Sequence, residues 1–447
     1  MTSQGRAVED RGTAVVIGGG IAGCLAAWAL RGTARRIVLV ERDRYPDGPE
    51  FRSGVPQARH GHLLLEAGHR VLEELMPGTR EELLAAGATR VPTGDALDWV
   101  TAAGRLAACP SDLAFISCTR TVLDHLVLGR VRAEPSIEIL EGTEAVGLLG
   151  GRHAVTGVRV RARGSADAEV RDLPARLVVD ATGRGTRAER WLGELGAPAV
   201  PTEQVDAGVA YASRFYRRPA GHPGRPLALY VQTRAPEHGR FAVVLPVEDD
   251  RWLLSVGGMR GFEPTLQGEE FEQQLGLLRD PALAAALDGA VPVGPARGFL
   301  PGPGVWRHYE RSAPAGFLAL GDASCTFNPV YGQGLTVAAL GARALRDAVR
   351  RHGDLGPAAV RACRQEVAAA TRTPWTMAAA EDVRFPATTG GPSGALVRVQ
   401  HRFLDRVLAR ATTDGQVAGA FQRVAAMVEP PTALFRPSVL GPVLFGG

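Results

Sequence analysis

Val15-Val16-Ile17-Gly18-Gly19-Gly20-Ile21-Ala22-Gly23 is the stretch whose reading decides the fold. The apolar run 14–17 reads as a short buried strand, and 21–30 reads as a helix. Strand, G-x-G-x-x-G and helix stand in the order that a dinucleotide-binding turn requires. Each glycine has its own task. Gly18 permits the tight turn, Gly20 lets backbone approach a pyrophosphate, and Gly23 lets helix and strand pack closely. Ile21 and Ala22 open the helix, so free N–H groups and the positive end of its dipole meet the phosphates there. A second strand, 36–40, ends in Glu41, 21 residues after Gly20, where a carboxylate can take ribose hydroxyls. Arg42, next in the chain, joins it as a cofactor-binding candidate. The chain binds an adenine dinucleotide.

Composition bounds the rest. At 447 residues the chain has room for two or three domains, and 45% apolar with 22% charged residues is the balance of an ordinary globule. No apolar run reaches about 18 residues, so no stable membrane insertion is expected. The start, 1–11, is polar and lacks an apolar signal core. Five scattered cysteines, with no C-x-x-C pair, argue for a reducing cytoplasm and against a disulfide or metal framework. All 51 basic residues are arginine, which excludes any lysine nucleophile or Schiff base. They are spread evenly without interleaved aromatics, so nucleic acid is not an expected partner.

Further along, the loop 52–62 gathers Arg52, Gln57, Arg59, His60 and His62 before a helix over 63–76. Helix capping or a solvated loop explains each histidine as well as a site does. The segment 95–106 reads as two short strands, and Arg120 opens a helix, where a cation is unfavourable unless an anion is near. Strands over 137–140 and 155–160 suggest a parallel or mixed layer, and 177–180 runs into the glycine turn Thr182-Gly183. Alternation over 205–260 marks an antiparallel sheet, hence a second domain inserted in the first. A helix is expected over 271–287 and another over 335–351. The tail 357–447 reads as helical, with a break at Pro374-Trp375.

Three separated motifs now agree. Gly18–Gly23 with Glu41, the Val179-Asp180-Ala181-Thr182-Gly183 turn, and Gly321-Asp322 followed by Pro329-x-x-Gly332-Gln333-Gly334 resemble the class A flavin monooxygenases of the p-hydroxybenzoate hydroxylase fold. The segment 54–62 and the tail with Trp375, Asp382 and Pro386 resemble actinobacterial squalene-epoxidase-like enzymes, among them polyether epoxidases. The resemblance implies an α/β fold: a Rossmann-type FAD-binding domain (10–90, 116–200 and 301–352) with an inserted antiparallel-sheet substrate domain (91–115 and 201–300). A helical region, 353–447, follows. FAD is the implied dinucleotide, with Gly321 and Asp322 at its ribityl or pyrophosphate hydroxyls. Gly332, Gln333, Gly334 and Leu335 place a helix start against the flavin N1–C2=O edge. There, negative charge on reduced flavin would be stabilised. Pro329 is expected near the C4a/N5 side, with Pro329, Gly332 and Gln333 as the catalytic set. Arg120 is expected at the phosphate or ribose, and Arg52 near the flavin. Hydroxylases of this fold usually carry Asp-Gly where this chain has Thr182-Gly183. The implied electron source is therefore either NADPH directly or a separate flavin reductase.

The implied chemistry is that of a monooxygenase taking O₂ through a C4a-hydroperoxyflavin to epoxidise an alkene of a large apolar polyketide or terpenoid, as in antibiotic biosynthesis. Phe241, Leu245, Trp252, Phe299 and Phe327 are the candidate pocket residues. Hydroxylation of a phenolic or polyketide substrate, and alkene reduction of the geranylgeranyl-reductase kind, are the alternatives. A non-catalytic FAD-binding or assembly protein is the reading from another class. Halogenation is disfavoured, since the lysine and Trp-x-Trp-x-Ile-Pro segment it uses are both absent.

Overall fold

The Thr13–Ile17 strand is the middle of a five-stranded sheet in the computed structural model, which describes residues 12–164, 169–219, 226–265 and 270–445. The polar start, 1–11, lies outside the described residues. Strand order is Phe317–Ala319, Leu177–Asp180, Thr13–Ile17, Arg36–Val40 and Ile137–Leu140, and every pairing is parallel. A parallel sheet is covered on both faces, which is why these strands read as unbroken apolar runs. On one face Ala14, Val16, Ile37 and Leu39 pack with Cys24, Leu25 and Leu345 of the helices Ile21–Ala29 and Gly334–His352. On the other, Val15, Val38 and Phe317 pack with Trp191 and with Val158 and Val160. The expected 155–160 strand belongs to the latter layer. It lies within Ala154–Ala162, in a separate three-stranded antiparallel sheet, and only 137–140 joins the parallel sheet.

The inserted sheet has seven strands, in the order Val291–Phe299, Ala210–Arg217, Arg251–Gly258, Arg240–Val247, Ala228–Val231, Leu97–Thr101 and Gly104–Arg105. All of its pairings are antiparallel except the one between Ala228–Val231 and Leu97–Thr101. Alternation divides its two faces. Trp252, Leu254 and Val256 turn to Phe271, Leu275 and Leu283, whereas Ser213, Phe241 and Ser255 turn toward the first domain. The helix expected over 271–287 is broken into Glu270–Gln273, a 3₁₀ turn Gln274–Leu277 and Ala282–Ala286, because Pro281 opens a new helix.

The tail contributes Pro357–Asp382, Ala395–Ala411, Gly415–Ala425 and Pro437–Phe445. Pro357–Asp382 passes through Pro374 without the expected break. Tertiary packing outweighs the proline there: Trp375 is buried beside Trp306 and Phe327, and its indole N–H donates to Glu203 at 2.9 Å. Among the described residues no helix is long and apolar enough to cross a membrane.

Candidate active site

The three glycines of the first turn do what their spacing requires. Gly18 has φ +97°, and a Cβ there would lie 2.6 Å from the Ala181 carbonyl oxygen. A Cβ on Gly23 would lie 1.7 Å from the Gly18 oxygen, whereas one on Gly20 would meet nothing within 4 Å. Gly18 and Gly23 are therefore demanded by the protein itself, and Gly20 faces open space. Gly20 caps the Ile21–Ala29 helix with no side-chain bond and no acid follows in its first turn, so the N–H groups at Ile21 and Ala22 are available to an anion.

Glu41 is buried and doubly tied. Its carboxylate accepts from the Gly19 N–H at 2.7 Å and from the Asp43 N–H at 2.8 Å, and Arg52 Nη1 sits 3.2 Å away. The Gly19 carbonyl accepts from the Tyr45 hydroxyl at 2.8 Å and from Arg52 Nη2 at 3.0 Å. Arg52 therefore sits against the first glycine turn, beside Glu41 and the Gly19 carbonyl. The Glu41 and Asp43 carboxylates hold it there. Tyr45 is a residue that no sequence pattern marked: its hydroxyl occupies the space that a Gly19 side chain would need, 1.8 Å from that Cβ position. Arg42 is exposed. Together Gly19, Gly20, Ile21, Tyr45, Arg52 and Asp124 line one cleft.

Arg120 opens the Arg120–Arg132 helix, whose N-cap Thr119 accepts from the Val122 N–H. The guanidinium is buried and donates to Asp124 at 2.6 Å. This carboxylate, one turn on, offsets the unfavourable position of a cation at a helix start.

Gly321 has φ +59°, and a Cβ there would meet the Ala22 methyl at 2.8 Å, so the Gly321-Asp322 turn sits on the start of the first helix. Asp322 accepts no hydrogen bond among the described residues. Burial raises its pKa, against the pull of Arg184 and Arg120. Across from it, Gly332 takes φ +65°, Gln333 caps the Gly334–His352 helix, and the Gln333 Oε1 is buried without a partner. A carboxylate and an amide oxygen with no protein donor, beside an uncapped helix start, match a ligand that brings hydroxyls, an N–H and negative charge. These residues fit FAD. Asp322 would take its hydroxyls, and Gly332, Gly334 and Leu335 would supply backbone around its ring system. The Pro329 carbonyl is engaged within the turn by the Gly332 N–H at 3.0 Å.

Two other segments hold this turn. Asp382, from the end of Pro357–Asp382, accepts from Asn328 Nδ2 at 2.7 Å and the Tyr331 hydroxyl at 2.8 Å. Burial, with Glu381 and Asp206 near, pushes its pKa up to about 7 despite those two donors. The loop 54–65 lies on the other side: a Cβ on Gly332 would touch Leu63, and the Leu65 N–H donates to Thr336 Oγ1 at 3.0 Å. In that loop His60 is buried, with Nδ1 2.9 Å from Ser213 Oγ and its ring against Tyr211 and Phe299. His62 Nδ1 bonds the His60 carbonyl, and burial with the Arg120 charge keeps it neutral.

Of the pocket candidates, Phe241 and Phe299 come together with Tyr211 and Val330. Leu245 is on the same face but packs with Val91, Phe115 and Leu63 under the loop. Trp252 does not join them, because strand alternation turns it to the far face beside Phe271. Nor does Phe327, which packs with Trp306 and Trp375 beneath the tail helix. Ser213 and Ser255 escaped sequence reading, although their place among alternating apolar residues was a usable signal. The middle turn is internally closed: Asp180 accepts from the Thr182 N–H at 2.9 Å and hydroxyl at 2.6 Å, and Arg184 spans to the Pro303 and Phe327 carbonyls. Among the described residues no group of three His, Cys, Asp or Glu could hold a metal.

Residues 14–190 match the FAD dependent oxidoreductase family. The chain is 31% identical over 437 residues to protein Rv3254 of Mycobacterium tuberculosis (strain ATCC 25618 / H37Rv), covering 94% of this chain and 90% of that one. Its fold resembles that of a triple mutant of the flavin-dependent brominase Bmp2, with TM-score 0.69 and 15% identity over 96% of this chain and 99% of the other. A similar likeness joins it to PqsL, a probable FAD-dependent monooxygenase from Pseudomonas aeruginosa, with TM-score 0.58 and 23% identity over 92% and 99%. The turn, the fold and these matches define an FAD-dependent oxidoreductase. Within that class, the chain belongs to one family with Rv3254.

Proposed function

We propose that the protein is an FAD-dependent monooxygenase that epoxidises an alkene in a large apolar polyketide or terpenoid. O₂ is the co-substrate, and electrons come from NADPH or from a partner flavin reductase. The observation that carries this reading is the apolar wall of Tyr211, Phe241 and Phe299, which packs with Val330 of the same turn that starts the Gly334–His352 helix. Bound FAD, once reduced, would supply activation of O₂ and transfer of one oxygen atom. The chain's residues have other work. The helix start offers N–H groups to negative charge, Asp322 accepts hydroxyls, and the aromatic wall excludes water and orients an apolar skeleton. Electrophilic oxygen transfer to an alkene asks for no protein nucleophile, and the reading needs none.

Hydroxylation of a phenolic substrate is the second reading, favoured by the polar His60 and Tyr211 on that wall. Bmp2 is a flavin-dependent brominase, but that likeness extends to the fold alone, and this chain has no lysine for such chemistry.

Anaerobic stopped-flow absorbance of the FAD-loaded protein mixed with NADPH tests the proposal. Rapid flavin bleaching, followed by oxygen uptake coupled to alkene consumption, supports a self-sufficient enzyme. Bleaching only with an added flavin reductase supports the partner route. Alkene saturation without oxygen would overturn oxygen transfer, and a protein that retains no FAD would overturn the whole reading.

A further inference from the structure

The loop 54–65 is wedged between the substrate sheet and the Pro329–Gly334 turn, and His60 is its most enclosed polar residue. A chain of hydrogen bonds reaches its ring. The Gly61 N–H donates to Ser255 Oγ at 3.2 Å, Ser255 Oγ lies 2.6 Å from Ser213 Oγ, and Ser213 Oγ lies 2.9 Å from His60 Nδ1. The only donor in that chain whose direction is beyond choice is the backbone N–H. Starting from it, Ser255 donates to Ser213, Ser213 donates to Nδ1, and the His60 proton must sit on Nε2. The opposite direction would strand the Ser255 hydroxyl proton inside the sheet and leave the Nε2 lone pair unmet as well. It therefore leaves a buried hydroxyl proton unpaired, which the first direction does not.

Among the described residues Nε2 has no hydrogen-bond partner, while the ring it belongs to packs on Tyr211 and Phe299, at centroid distances of 4.8 and 5.5 Å. Those two residues share their cluster with Phe241 and Val330. We infer that His60 is a substrate-binding residue: a neutral Nε2–H donor, fixed by Ser213 and Ser255, that takes an acceptor oxygen of the substrate. The inference rests on the monooxygenase reading and narrows it. The substrate is not a plain hydrocarbon but an apolar skeleton bearing a carbonyl or an ionised phenol oxygen near the reacting carbon. Burial, with the Arg59 charge, lowers the His60 pKa to about 4, so the ring stays uncharged across the working pH range and acts as donor, not as base.

The test uses FAD-loaded protein and two probes of one shape, 1-tetralone with a carbonyl and tetralin without, read by perturbation of the flavin absorbance spectrum. Wild type should bind 1-tetralone about tenfold more tightly, the worth of one hydrogen bond in a dry site. His60→Phe keeps the ring packing and should abolish the preference, while His60→Gln, which retains a donor, should keep part of it. Nitrogen-15 NMR of histidine-labelled protein gives a second readout without any ligand. It should show the His60 proton on Nε2 in wild type, with Nδ1 protonation appearing in Ser255→Ala. Equal affinities in wild type, an undiminished preference in His60→Phe, failure of both probes, or a proton on Nδ1 in wild type would each overturn the inference. Wild type that retains no FAD would instead overturn the reading beneath it. His60→Phe that fails to fold leaves the NMR result to decide.

Discussion

The two ends of the cofactor cleft are built on opposite principles. Around Gly19 the polar groups are satisfied by the chain itself: Glu41 takes two backbone N–H groups and a guanidinium, and the Gly19 carbonyl takes two side-chain donors. Around Gly334, Asp322 and the Gln333 Oε1 have no donor among the described residues. The first end stabilises the fold whether or not a dinucleotide is present. The second carries unmet hydrogen-bonding capacity, which costs stability and is repaid only by a ligand. Mutations should therefore separate folding from binding according to the end they touch.

The largest effect is expected at the self-satisfied end. A side chain at Gly23 collides with the Gly18 backbone carbonyl, and neither strand nor helix can yield. Gly23→Val should cost ~3 kcal/mol or more and abolish FAD retention, seen as loss of the thermal transition and of bound flavin. Gly20→Ala, one turn away and facing open space, should leave the melting temperature of the FAD-free protein unchanged while weakening FAD roughly tenfold, about 1.4 kcal/mol. Equal damage from both would erase the distinction.

Next come the two carboxylates. Glu41→Ala strands two buried N–H groups and leaves Arg52 with Asp43 as its one carboxylate, so the FAD-free protein should lose about 3 kcal/mol in urea unfolding. Asp322→Asn removes a charge that burial already disfavours, so the FAD-free protein should be as stable as wild type or more so. FAD affinity should nevertheless fall by an order of magnitude, ~1.4 kcal/mol. A destabilised Asp322→Asn would mean that this carboxylate serves the fold after all.

This contrast also explains what the sequence disclosed. The Gly18–Gly23 turn and Glu41 were legible because their geometry is local, two strands and a helix joined by one turn. Gly321-Asp322 and Gly332–Gly334 came from the family resemblance of their motifs, and the fold brings those two turns side by side. The partners of Arg52 were not legible, because its position depends on Glu41 and Asp43 across a loop. Trp252 was misjudged because one strand offers two faces, and only the packing of Phe271 says which face is the back. Pro374 sits inside a helix held by the burial of Trp375, a contact between segments far apart in sequence. The Ser255–Ser213–His60 chain joins three segments that no local pattern relates.

A smaller effect should come from the clamp on the flavin-side turn. The Asp382 pKa, about 7 in the folded protein, lies above the ~3.9 of an unfolded aspartate. The folded state therefore binds more protons between pH 4 and 7, and stability falls as pH rises through that window. Asp382→Asn keeps an oxygen for Asn328 and Tyr331. It should match wild type near pH 4 and exceed it increasingly as pH rises to 8, read as melting temperature against pH. Glu381, itself raised by burial, leaves a residual slope in the variant. If Asp382→Asn loses stability at pH 8, the ionised carboxylate is an asset to this turn.

The smallest effect tests how self-sufficient the Gly19 end is. Tyr45→Phe deletes the 2.8 Å bond to the Gly19 carbonyl, but Arg52 Nη2 still donates there at 3.0 Å. The guanidinium also lies 4.9 Å over the Tyr45 ring, a contact that phenylalanine preserves. No group is left without a partner, so the loss in urea unfolding should stay below ~1 kcal/mol, with FAD affinity changed less than in Gly20→Ala. A much larger loss would show that Arg52 cannot hold the carbonyl alone, and that the two donors form one cooperative arrangement rather than a redundant pair.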